Sequence, residues 1–154
     1  MQKVIKNNKQ KVRLGMSEGI KTKLKQKRVV VGTIDFKIIQ TLGRRFSTSD
    51  YDVCYIQRGV NLLIEILDNN VDLLILDLEL AGVMGVEVLP VIRRLRPRLP
   101  IILISDDFTH RIRKIAAEQG ITYQAYKPVS DNESDAIASA AQEIIGRMEL
   151  ISSN

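Results

Sequence analysis

Four residues at the ends of apolar runs carry the chemistry open to this chain. Asp77 follows Val71-Asp72-Leu73-Leu74-Ile75-Leu76, and Ser105 closes Leu99-Pro100-Ile101-Ile102-Leu103-Ile104. Lys127 follows Ile121 to Tyr126, and Asp35 follows Val29-Val30-Val31-Gly32-Thr33-Ile34. A carboxylate ending so apolar a run stands where an unpaired charge is costly, so it needs a cation beside it. Lys127 and a Mg²⁺ held partly by Asp35 would supply that charge. A carboxylate held in this way is a nucleophile toward an activated phosphoryl group, and the two cations would neutralise charge on the phosphoryl oxygens. Ser105 would hydrogen-bond one of those oxygens. Each residue alone has a plainer reading, since an acid after a strand most often caps the next helix or sits in a solvated loop.

The elements that must bring these residues together alternate regularly. Strands are predicted over 29–33, 51–57, 71–77, 99–105 and 121–126, from short β-branched and aliphatic runs. Between and after them, helical spacing marks apolar faces at Ile38-Ile39-Leu42-Phe46, in 60–67, in 85–95, in 108–119 and from Ser130 to about Met148. Ser130 with Glu133 forms a capping box, and Gly120 is a helix stop. Five strands alternating with five helices predict an α/β doubly wound sheet, parallel because every crossover contains a helix. In such sheets chemistry gathers beyond the carboxyl ends of the strands. Asp35, Asp77, Ser105 and Lys127 all fall on that edge.

Composition bounds the rest. The chain has 154 residues, 45% hydrophobic and 27% charged, as an ordinary globular domain has. No apolar run approaches the roughly 20 residues needed to cross a bilayer, and no apolar segment follows the basic N-terminus as in a secretory signal. The single cysteine, Cys54, forms no intramolecular disulfide, and no Cys/His cluster suggests zinc. A cytoplasmic protein is expected. The net charge of +5 divides unevenly: residues 1–28 carry +9 and residues 29–154 carry −4. A basic arm over 1–27 is therefore expected to precede a domain over 28–149, with a tail over 150–154. Residues 1–28 contain no aromatic residue, so base stacking is absent there, and nucleic acid is not an expected partner beyond weak, salt-sensitive attraction.

The ordered set Asp72–Leu80 with Gly85 eight residues after Asp77, then Ile101–Ser105, then Tyr126-Lys127-Pro128, resembles the receiver domains of two-component response regulators. The resemblance covers about residues 28–148. It implies a flavodoxin-like five-stranded sheet in the order 2-1-3-4-5. It further implies Asp77 as phosphoacceptor, Ser105 as the switch hydroxyl, Lys127 as the partner lysine and a cis Lys127–Pro128 peptide. The metal ligands implied for Mg²⁺ are Asp35, Asp77 and the backbone carbonyl of Glu79. The implied partners are a histidine kinase or histidine phosphotransfer protein upstream and a protein target downstream. Contact with the target, or with a second copy of the chain, is expected through the face formed by the last helix–strand–helix.

Departures from the family pattern accompany the match. Helix phasing places Asp35 on the second acid of the usual pair and leaves Ile34 on the first, which is expected to weaken metal binding without abolishing it. Ala81-Gly82-Val83-Met84 replaces the usual proline-bearing loop, and Gln124 stands where an aromatic residue is common. Glu79 and Asp107 add negative charge two residues beyond Asp77 and Ser105. Two readings stay open. One is a stand-alone receiver phosphorylated on Asp77, with no enzymatic output beyond gaining and losing that group. The other is a phosphorylation-independent pseudo-receiver serving as an interaction module. His110, the only histidine, reads as solvated or capping, Cys54 as a small buried side chain, and Arg93, Arg94, Arg96 and Arg98 as a solvated basic face.

Overall fold

Three valines in a row send alternate side chains to opposite faces of a strand. The structure, a computed structural model that describes residues 25–127 and 130–152, buries both faces. β1 (Lys27–Gly32) places Val30 in the core on one side of the sheet and Val29 and Val31 in the core on the other. The remaining elements are α1 (Phe36–Arg45), β2 (Tyr51–Ile56), α2 (Gly59–Asp68), β3 (Leu73–Asp77), α3 (Gly85–Leu95), β4 (Ile101–Ser105), α4 (His110–Glu118), β5 (Tyr123–Tyr126) and α5 (Asp131–Ser152). All four strand pairings are parallel, in the order β2-β1-β3-β4-β5. That is the order the family resemblance implies.

Two aliphatic layers hold the sheet between helices. α2, α3 and α4 contribute Leu62, Ile66, Leu89, Ile92 and Ala116 against Val30, Leu74, Leu76 and Leu103. α1 and α5 contribute Ile38, Leu42, Ile137, Ala141 and Ile145 against Val29, Val31, Ile75 and Ile104. β3 and β4 are buried along their whole length, whereas three of the four residues of the edge strand β5 are exposed. Pro90 lies within α3, which nevertheless spans the expected 85–95.

Several boundaries differ from expectation, each for a local reason. β1 ends at Gly32, because the Thr33 hydroxyl accepts the Asp35 N–H and turns the chain. α4 begins at His110 rather than 108, since the Thr109 hydroxyl caps it by accepting from Ile112 N–H. β5 begins at Tyr123, two residues late, because Ile121 N–H still serves the Ala116 carbonyl that closes α4. Gly120 takes φ +63°, the left-handed conformation expected of a helix stop. The capping box of α5 forms as expected, with Ser130 N–H on Glu133 and Glu133 N–H on Ser130 Oγ. α5 then runs on to Ser152, past the expected end near Met148. Residues 1–24 of the arm, the Lys127–Pro128 peptide and residues 153–154 of the tail lie outside the described residues. No helix among the described residues is long and apolar enough to cross a membrane.

Candidate functional site

Five polar or charged residues are buried among those described, and four of them meet at the carboxyl edge of the sheet: Thr33, Asp77, Ser105 and Lys127. Parallel register explains the first pair. Gly32 lies opposite Leu76, so the next residues along, Thr33 and Asp77, come side by side where β1 and β3 end. The Thr33 hydroxyl donates to Asp77 Oδ2 at 2.7 Å. Lys127, leaving β5, places its Nζ 3.3 Å from the same oxygen. Asp77 Oδ1 accepts the Glu79 N–H at 3.0 Å. Both carboxylate oxygens are thus bound by the protein, and Asp77 has no solvent exposure.

The loop after β3 is shaped by Gly85, whose N–H returns to the Leu78 carbonyl at 2.8 Å. A Cβ at residue 85 would stand 2.7 Å from the Asp77 carbonyl oxygen and 2.8 Å from Leu78 Cα. Only glycine lets α3 start so close beneath the carboxylate.

Charge around the site is lopsided. Lys127 Nζ also lies 3.2 Å from Glu79 Oε2 and 3.6 Å from Asp106 Oδ2, so one ammonium faces three carboxylates. Burial pushes the Asp77 carboxyl above its ordinary range, against the pull of Glu79 N–H, Thr33 and Lys127. Burial works on Lys127 in the lowering sense, but Asp77, Glu79 and Asp106 together hold its ammonium above the ordinary lysine value. The result is a dry carboxylate whose charge is poorly solvated and whose main counter-charge is one lysine.

The other expected site residues take different places. Ser105 is buried at the end of β4, where its Oγ donates to the Asp107 carbonyl at 2.7 Å and accepts the Asp107 N–H at 3.2 Å. Asp35 stands two residues beyond Thr33 as the N-cap of α1, its Oδ1 accepting Lys37 N–H at 2.9 Å. Ile34 is exposed in the intervening loop. The Glu79 side chain is engaged with Lys127. Of the acids implied for Mg²⁺, Asp77 and Asp35 thus accept hydrogen bonds from the protein, and among the described residues no group of three or more His, Cys, Asp or Glu side chains is placed to hold a metal ion. Thr33, inconspicuous in the sequence as the end of a β-branched strand, occupies the place beside Asp77. Its signal is a hydroxyl at the end of an apolar run, the same signal that marks Ser105.

Away from this edge, Cys54 is half-buried with its thiol pushed up by burial, and His110 opens α4. Arg93 departs from the solvated face expected of it. Its guanidinium donates to the carbonyls of Pro97, Leu99, Gln119 and Gly120, tying the loop before β4 to the loop before β5.

A family model of the response regulator receiver domain matches residues 16–139. No curated protein matches the sequence. Among solved structures, the receiver domain of a putative Luxo repressor protein from Vibrio parahaemolyticus superposes with TM-score 0.73 at 18% identity, covering 82% of this chain and 95% of that one. A CheY-like receiver domain protein from Methanospirillum hungatei JF-1 gives TM-score 0.70 at 18% identity, covering 80% and 98%. A Burkholderia pseudomallei response regulator with a phosphorylated aspartic acid, calcium ion and citrate gives 0.65 at 17%, covering 82% and 73%. Five parallel strands in the order 2-1-3-4-5 and the match over most of the chain agree, and the chain belongs to the family of response regulator receiver domains.

Proposed function

We propose that this domain takes a phosphoryl group on Asp77 and passes the change to a protein partner. The observation that carries the reading is the 3.3 Å ion pair between buried Asp77 and buried Lys127 at the carboxyl edge of the sheet. In the step itself an Asp77 carboxylate oxygen forms a P–O bond. The donor's P–N bond breaks, and its electron pair leaves with a histidine imidazole that takes up a proton. The donor is a histidine kinase or histidine phosphotransfer protein. Lys127 follows the moving charge from carboxylate to phosphoryl oxygens, and Ser105, released from Asp107, donates its hydroxyl to one of them. Such signalling fits a cytoplasmic protein, which cell fractionation checks. Its output is contact with a target rather than catalysis.

Incubation with phosphoramidate or acetyl phosphate followed by intact mass tests the reading. The wild type is expected to gain one phosphoryl group and Asp77→Asn none; a gain that survives Asp77→Asn refutes Asp77 as acceptor. The second reading, a phosphorylation-independent interaction module, is favoured by the complete burial of Asp77 with both oxygens bound. It predicts no mass gain and the same partners recovered from native cells by wild type and Asp77→Asn.

A further inference from the structure

We infer that this domain holds Asp77 without a divalent cation, and that Thr33 is the residue that decides it. The metal question is read from the side chains alone; only its consequence for transfer rests on the phosphoacceptor reading above. Mg²⁺ demands near-octahedral oxygen ligands and is commonly held by one or two carboxylates beside its waters. The place next to Asp77 where a second carboxylate would stand belongs to Thr33, set there by the Gly32–Leu76 register. Its hydroxyl donates its proton to Asp77 Oδ2 at 2.7 Å and accepts Asp35 N–H at 3.0 Å. Asp35, the next acid along, caps α1 through Lys37 N–H, and releasing it would cost the helix its N-cap.

The remaining acids are turned the same way. Glu79 and Asp106 both face Lys127 Nζ, so a metal drawn to them would stand against an ammonium. Three carboxylates around one lysine do leave excess negative charge. Yet Glu79 and Asp106 side chains are 56% and 71% exposed, so water and salt screen that excess. It attracts any cation diffusely and selects none. Thr33, Lys127 and the Glu79 N–H do for Asp77 what a metal and a lysine would otherwise share.

The test is a Mg²⁺ titration of the full chain followed by amide NMR, with KCl at matched ionic strength as control. The wild type is expected to show no saturable shift at residues 33, 77 or 79 beyond the KCl effect. Thr33→Asp is expected to gain one, and to recover thermal stability on adding Mg²⁺ that it lacks in EDTA. A saturable, Mg²⁺-specific shift in the wild type overturns the inference, and this measurement decides even where Thr33→Asp folds poorly. A folded Thr33→Asp that stays silent overturns the assignment to Thr33. Phosphoryl uptake in EDTA is expected to equal that in Mg²⁺. Absence of uptake in both conditions would sink the phosphoacceptor reading while leaving the outcome of the metal titration intact.

Discussion

The two ends of the sheet carry the same charges in opposite circumstances. At the amino end Arg28 meets three acids: its N–H donates to Asp72 at 2.8 Å, and its guanidinium binds Glu65 and Asp52. At the carboxyl end Lys127 meets Asp77, Glu79 and Asp106. Arg28 is partly exposed, so water shares the work, and its planar fork suits two carboxylates at once. Lys127 is a compact charge, and its partner at the sheet's centre, Asp77, is wholly buried. One cluster can lose a member and let solvent fill in. The other cannot.

Removing each cation is the sharpest way to test this contrast. Lys127→Met strands Asp77 in a dry site and is expected to cost about 3 kcal/mol in urea unfolding at neutral pH. The loss should shrink in acid, where Asp77 takes up a proton. Equal stability of variant and wild type at neutral pH would erase the difference between the two ends. Gly85→Ala probes the packing under the same carboxylate. Its Cβ has no flexible neighbour to displace, only backbone at 2.7 and 2.8 Å, so a loss of about 2 kcal/mol is expected by the same measurement.

Asp77→Asn should move the other way. The folded chain holds the Asp77 proton above the ordinary carboxylate range while the unfolded chain gives it up near pH 3.9, so stability falls as pH rises through that window. Asparagine removes the titration. A gain at neutral pH is expected, vanishing below the ordinary carboxylate value; denaturant midpoints at neutral and acid pH read it out. The smallest effect belongs to the amino end. Arg28→Met is expected to cost under about 1 kcal/mol, and less still at high salt. A salt-insensitive loss as large as that of Lys127→Met would show that the ends are alike.

How far the site could be read from sequence follows the same division. Apolar runs mark the strands, and strand ends mark Asp77, Ser105 and Lys127, because those signals depend only on burial and chain direction. The helices follow from apolar faces, down to the capping box of Ser130 and Glu133. Thr33 and Asp35 are harder. Which of them stands beside Asp77 depends on where β1 stops, and that is settled by a side-chain turn, Thr33 Oγ1 to Asp35 N–H, that no periodicity records. Helix phasing puts Asp35 near the carboxylate, while the strand register puts Thr33 there. Arg93 is misplaced for a similar reason: four carbonyl contacts across two loops are invisible in a run of basic residues.

The exposed edge strand has a kinetic meaning. Sheets unzip from their least buried strand, and β5 has four residues, three of them open to solvent, paired only with β4. Lys127 is the first residue after it, its N–H bonded to the Ser105 carbonyl at 2.9 Å. Were the edge to open there, the ammonium would withdraw with it and Asp77 would be left with neutral donors only. A contact that clamped β5 from outside would therefore also hold the counter-charge of Asp77 in place.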